Sequence, residues 1–189
     1  MTILVDIDGV IFNTQETLLN FLNNRYDTNY TVDNITSYDW FDKTFKDPWS
    51  FMEKPEFWYA VKTSPDAVKY ITKWIQEGYI VKIVTASHFH HGIFSKMSKL
   101  KRDFGGVIRD EDIIICHDKS MVRGDLLIDD NFNNCKQFGT IETQQSILYS
   151  QPWNIDQFLN EDEIGNMVSY NTWSGIDAYV KFIEILNKK

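Results

Sequence analysis

The first ten residues constrain this chain most. Ile3-Leu4-Val5 is an apolar run, and it ends in Asp6-Ile7-Asp8-Gly9-Val10. Side chains on an extended strand alternate faces, so Asp6 and Asp8 point the same way. In an open α/β sheet, ligands gather outside the carboxyl ends of the strands. Two aspartates there suit a nucleophile and a metal ligand, or an acid–base pair. An EF-hand loop opens with the same letters, but it needs oxygen ligands where this chain has Val10-Ile11-Phe12.

The rest of the chain reads as strand–helix alternation. Residues 14–25 predict a helix with Leu18, Leu19, Phe21 and Leu22 on its apolar face and Thr14 as its cap. Residues 26–62 are rich in aromatics and turn formers without a clean period, which predicts short helices. With 14–25 they form a small helical cap over 14–63, inserted after the first strand. Ser64-Pro65 then opens a helix whose apolar face is Val68, Ile71, Trp74 and Ile75, with Gly78 as its stop. A buried strand is expected at 79–85, a basic helix at 93–104, and further strands at 112–116, 125–129 and 146–149. Helices are expected at 131–138 and 173–186. Continuous apolar strands alternating with helices predict a parallel sheet covered on both faces. The expected fold is α/β, a Rossmann-like three-layer α/β/α core formed by 1–13 and 64–189.

Composition narrows the partners. A chain of 189 residues points to one domain, and 43% hydrophobic residues supply a core. The formal net charge of −8 disfavours a grip on long nucleic acid, which asks for a basic stripe. One small phosphorylated ligand is still compatible, because a metal and one or two lysines reverse the field locally. Cys116 and Cys135 lack metal-type spacing and read as a reduced, cytosolic pair. With no leader and no apolar run near the roughly 20 residues of a membrane span, the expectation is a cytoplasmic protein, monomer or homodimer, with no membrane partner.

Four strand ends carry polar groups in order. Asp6 and Asp8 follow the first strand, Thr85 the second, Lys119 the third, and Asp129-Asp130-Asn131 the fourth. The set suits phosphoryl transfer through an aspartyl-phosphate. Asp6 would be the nucleophile, and Asp8 would protonate the leaving oxygen and then activate water. Mg²⁺ would take Asp6, Asp129 and a backbone carbonyl near Asp8. Thr85 and the adjacent backbone at Ala86 would hold phosphate oxygens, and Lys119 would add positive charge. His88, His90 and His91 read as a solvated loop at the pocket rim. Among the basic residues of 93–104, Lys96 alone is expected to turn inward, with Lys99, Lys101 and Arg102 on a solvated face.

In this order the motifs resemble those of the haloacid dehalogenase superfamily of phosphohydrolases. Within it the chain is similar to the 5′(3′)-deoxyribonucleotidases. That likeness rests on the 125–130 segment, on Asp118-Lys119, on Pro55-Glu56-Phe57-Trp58 before Ser64-Pro65-Asp66-Ala67, and on the helix led by Trp173. It implies Asp6 as nucleophile, Asp8 as acid/base, Thr85, Lys119 and Lys96 as phosphate binders, and Asp129 as Mg²⁺ ligand with Asp130 on a metal-bound water. It also implies a nucleoside monophosphate substrate, with Trp58 and Trp40 among the cap aromatics that meet sugar and base. The chain departs from the family pattern at Ala86, at His117 and at Asn13-Thr14, where the family often has a serine, an arginine and an aspartate–aromatic pair.

Overall fold

The computed structural model describes residues 1–87, 92–141, 143–161 and 163–187. Six strands form one sheet: β1 (Thr2–Val5), β2 (Ile80–Thr85), β3 (Ile113–Ile115), β4 (Leu126–Asp129), β5 (Gln145–Tyr149) and β6 (Met167–Tyr170). Their order is β3-β2-β1-β4-β5-β6, and every neighbouring pair is parallel. This is the doubly wound order whose crevice opens where the winding reverses, between β1 and β4. The expected Rossmann-like α/β fold is the fold observed.

The apolar runs explain the layers. Alternation along the central strands sends Ile3, Val5, Ile83 and Ile128 into one core cluster and Leu4, Val84 and Leu127 into another. The first cluster takes in Ile71 and Trp74 of α4 (Pro65–Gln76), Leu100 of α5 (Gly92–Asp103), and Ile176 and Val180 of α8 (Trp173–Asn187). The second takes in Phe138 of α6 (Phe132–Phe138). Asp177 of α8 ties α4 in place, accepting from Trp74 Nε1 at 2.8 Å and Lys73 Nζ at 2.6 Å.

The helix signals at 64–78 work as sequence chemistry says. Ser64 Oγ accepts from the Ala67 amide, Pro65 opens the helix, and Gly78 follows its end at φ +89°. Thr14, by contrast, is not a cap. Asn13 precedes α1 (Thr14–Tyr26), and Thr14 is the first helical residue. Two elements of the sheet's far side were absent from the sequence expectation, α7 (Ile155–Leu159) and β6.

Residues 14–63 leave and re-enter the sheet at adjacent points. Asn13 N donates to Lys62 O, Ser64 N donates to Ile11 O, and Phe12 bridges Thr63 in antiparallel pairing. Between these linkers lie α1, α2 (Trp40–Thr44), α3 (Pro55–Ala60) and 3-10 turns at Val32–Asn34 and Pro48–Glu53. Aromatic edges hold them together, with Trp40 against Tyr30, Phe41 and Phe45 at centroid distances of 5.2, 5.3 and 5.8 Å. The segment's α3 packs on α5, which brings it over the carboxyl ends of the strands.

Ser64→Ala removes the cap of α4 and is expected to cost about 1 kcal/mol. For a chain of this size that lowers the melting temperature by about 2–4 °C. Thermal denaturation followed by circular dichroism checks it, and an unchanged midpoint would show that the cap bond adds nothing.

Candidate active site

The site forms where β1 and β4 end side by side. Register places Val5 opposite Ile128, and the Asp6 amide continues the ladder by donating to Ile128 O at 2.9 Å. Asp6 therefore stands beside Asp129. The chain then turns sharply, with Ile7 O accepting from the Val10, Ile11 and Phe12 amides. Gly9 makes the turn at φ +74°, and a Cβ there would lie 2.2 Å from Asp130 Oδ2. Only glycine serves both the backbone conformation and the close approach of the Asp130 carboxylate.

Lys119 joins the two strand ends. It begins a 3-10 turn capped by Asp118, and its Nζ donates to Asp6 Oδ1 at 2.6 Å and Asp129 Oδ2 at 2.7 Å. Asp129 also accepts from the Asn131 amide at 2.8 Å and Asn134 Nδ2 at 3.0 Å. Asp130 accepts from Trp153 Nε1 at 2.9 Å and Gln15 Nε2 at 3.4 Å. Its carbonyl accepts from Asn154 Nδ2 and from the Tyr38 hydroxyl.

Asp8 belongs to a second set of contacts. Its Oδ1 accepts from Thr14 Oγ1 at 2.7 Å, and its Oδ2 accepts from Lys96 Nζ. Lys96 also donates to Thr85 Oγ1 at 2.7 Å, and its ammonium lies 5.4 Å from the centroid of the Trp58 ring. Trp58 is fixed in turn by its Nε1, which donates to Met52 O at 2.8 Å.

Burial sets the electrostatics. It pushes the Asp6 carboxyl up to about 7, aided by Asp129 and Asp8 and opposed by Lys119. Burial and then Asp129 hold Asp130 well above the usual carboxylate range. Burial works against the Lys119 ammonium, but Asp129 and Asp6 outweigh it, and its pKa sits above the ordinary lysine value. Asp6, Asp129 and Asp130 offer oxygens that all lie within 4.8 Å of one another. Three buried carboxylates with one close ammonium are short of positive charge, and a hard oxygen-seeking cation such as Mg²⁺ fits that donor set.

Above this floor lies a cavity of about 540 Å³. Asp6, Asp8, Ala86, Lys96, Lys119, Asp129, Asp130 and Trp58 all line it, as do Leu18, Tyr38, Trp49, Met52 and Ile93. Thr85 is fully buried behind it and reaches the site through Lys96. Trp40 corrects the expectation of a substrate wall: its ring is taken up by the aromatic cluster with Tyr30, Phe41 and Phe45, and it does not line the cavity. Lys99 is a second correction, since it is buried and paired with Asp103 at 2.6 Å. Thr14, Gln15, Tyr38 and Trp49 line the cavity without having been singled out as site residues. His88, His90 and His91 lie outside the described residues.

The sequence matches the family model described as 5′ nucleotidase, deoxy (pyrimidine), cytosolic type C protein over residues 1–166. No curated protein sequence matches it. Among solved structures, the chain is similar to D,D-heptose 1,7-bisphosphate phosphatase from B. bronchiseptica, complexed with magnesium and phosphate. The TM-score is 0.58 at 11% identity, over 100% of this chain and 99% of that one. A haloacid dehalogenase family hydrolase from Deinococcus radiodurans R1, with bound phosphate and sodium, gives 0.53 at 14% identity over 95% and 94%. A haloacid dehalogenase-like hydrolase from Xanthomonas campestris gives 0.57 at 10% identity over 98% and 96%. These neighbours share the fold. No helix among the described residues is long and apolar enough to cross a membrane.

A cation bound by Asp6 and Asp130 would compete with protons, because burial raises both carboxyls. A raised carboxyl pKa means that the folded protein keeps its proton at pH values where the unfolded chain has lost it. Without a cation, stability is therefore expected to fall as pH rises from about 4 through about 7. Added Mg²⁺ should raise the melting temperature more at pH 8 than at pH 5.5. A Mg²⁺ effect equal at both pH values would show that these carboxyls already stand ionised.

Proposed function

We propose that this chain, which belongs to the family of 5′ nucleotidase, deoxy (pyrimidine), cytosolic type C proteins, dephosphorylates nucleoside monophosphates, deoxyribonucleotides foremost. The reaction is Mg²⁺-dependent and passes through an aspartyl-phosphate on Asp6. One observation carries the reading: the cavity joins a floor of carboxylates and lysines to a wall of Tyr38, Trp49, Trp58 and aliphatic side chains. The floor suits a phosphate and the wall a flat, largely apolar base. Its volume of about 540 Å³ lies in the range of small-ligand sites.

The chain's own residues account for the steps. The Asp6 carboxylate forms a bond to phosphorus as the phosphorus–oxygen bond to the nucleoside breaks. Asp8, as the carboxylic acid, gives its proton to the departing oxygen. Asp8, now a carboxylate, takes a proton from the water whose oxygen attacks the acyl phosphate. The bond to Asp6 then breaks, which frees phosphate and restores the nucleophile. Lys119, hydrogen-bonded to Asp6 Oδ1, offsets negative charge on the transferring group. Lys96 and the backbone at Ala86 complete the phosphate end, and Thr85 holds Lys96 in place. Mg²⁺ bound to Asp6, Asp129 and a backbone carbonyl near Asp8, with Asp130 on a bound water, would offset repulsion between two anionic partners.

The test is phosphate release from 5′- and 3′-deoxyribonucleotides, their ribose counterparts, sugar phosphates and a 3′-phosphorylated oligonucleotide. Selective release from the mononucleotides is expected with Mg²⁺, and none with chelator. Asp6→Asn should abolish turnover without lowering the melting temperature, since it removes a buried carboxyl; wild-type rates in that variant would remove Asp6 as nucleophile. Release mainly from sugar phosphates or the oligonucleotide would keep the chemistry and discard the substrate.

A further inference from the structure

The hydroxyl of Thr14, the first residue of α1, bonds outside its own helix. Threonine hydroxyls in helices commonly bond back to the carbonyl four residues earlier. Thr17, one turn on, does that, donating to Asn13 O at 3.0 Å. Thr14 instead reaches across the turn after β1 and donates to Asp8 Oδ1 at 2.7 Å. It is 3% exposed, lines the cavity, and sits on a backbone pinned by the Asn13–Lys62 linker bond. A β-branched side chain is also stiff at χ1, so the hydroxyl is a fixed donor.

We propose that Thr14 is a positioning residue for Asp8, holding its carboxyl through Oδ1 in the orientation from which it exchanges a proton with the substrate. The inference rests on the reading of Asp8 as acid/base. Both oxygens of the Asp8 carboxyl accept: Oδ1 from Thr14 and Oδ2 from Lys96. Of the two donors, Thr14 is the one next to the short turn after β1, and it holds the carboxyl by the oxygen opposite the one bonded to Lys96. A donor that stays bonded to Oδ1 keeps the carboxyl plane fixed while the proton is exchanged. The bond also prevents the carboxyl from rotating away between the acid step and the base step.

The experiment compares kcat/KM for two esters at neutral pH. One is a deoxyribonucleoside 5′-monophosphate, whose alkoxide must be protonated as it leaves. The other is p-nitrophenyl phosphate, whose phenolate leaves unprotonated. This constant covers the steps up to leaving-group departure. Thr14→Val keeps size and branching but removes the donor. It is expected to lower kcat/KM for the nucleotide about tenfold, the scale of one hydrogen bond to a charged group. The value for p-nitrophenyl phosphate should stay within about twofold. Thr14→Ser should restore the nucleotide rate, and Thr14→Ala repeats the comparison should the valine variant not fold. Asp8→Asn should show the same asymmetry at about 10²-fold or more. If Asp8→Asn affects both esters equally, the acid/base reading fails and the inference with it. If Asp8→Asn discriminates and Thr14→Val does not, or if Thr14→Val harms both esters alike, the inference alone is overturned.

Discussion

The Lys119 ammonium between Asp6 and Asp129 is the interaction on which the rest of the site depends. Parallel pairing of β1 with β4 leaves no choice about the neighbours: where Val5 meets Ile128, Asp6 stands beside Asp129. Both side chains are buried, and two desolvated carboxylates at that spacing repel strongly. Lys119 hydrogen-bonds to both and converts the repulsion into a bridge across the point where the winding of the sheet reverses. The donors around Asp130, from Trp153 and Gln15, are neutral. They stabilise the charge without cancelling it, which leaves the cluster with an appetite for a cation.

The four carboxylates of the site are divided between two lysines. Asp6, Asp129 and Asp130 form one group with Lys119, while Asp8 is held apart by Lys96 and Thr14. That division matters on the proposed mechanism, because nucleophile and acid/base need different surroundings two residues apart in sequence. The 14–63 segment touches both groups. Tyr38 donates to the Asp130 carbonyl, and Trp58 covers the Lys96 ammonium. Its placement over the strands is therefore coupled to the geometry of the floor.

Much of this was legible in the sequence, and the exceptions have physical causes. The central strands were readable because burial on both faces leaves little polar alternation to confuse them, and the edge strand β3 because Ile113-Ile114-Ile115 is an unbroken apolar run. Met167-Val168-Ser169-Tyr170 was not, because Ser169 breaks its short apolar run. The polar groups at four strand ends were readable because each sits at a fixed place after an apolar run. The wall was not, since aromatics in short helices have no period that tells Trp49, in the cavity, from Trp40, in the cluster. Lys99 misled for another reason: a long apolar stem lets a charged head reach Asp103 from a buried position. Thr14 fits a capping rule by type, yet it lies one residue inside the helix, and its hydroxyl donates to a carboxylate six residues back.

Net charge at the site explains why an acidic chain can still hold a phosphate. Four carboxylates face two ammonium groups, and both ammonium groups are already hydrogen-bonded to carboxylates. With the carboxylates ionised, the floor is negative and repels a phosphate dianion. Without a cation, Lys119 does not supply the missing attraction, because its charge is already balanced by Asp6 and Asp129. A divalent cation changes the balance, bringing the floor to neutrality and leaving the lysines free to favour the anion. On the proposed reading, cation dependence is therefore a condition of substrate binding as well as of the chemistry. It follows from the surplus of buried carboxylate over lysine rather than from any single ligand.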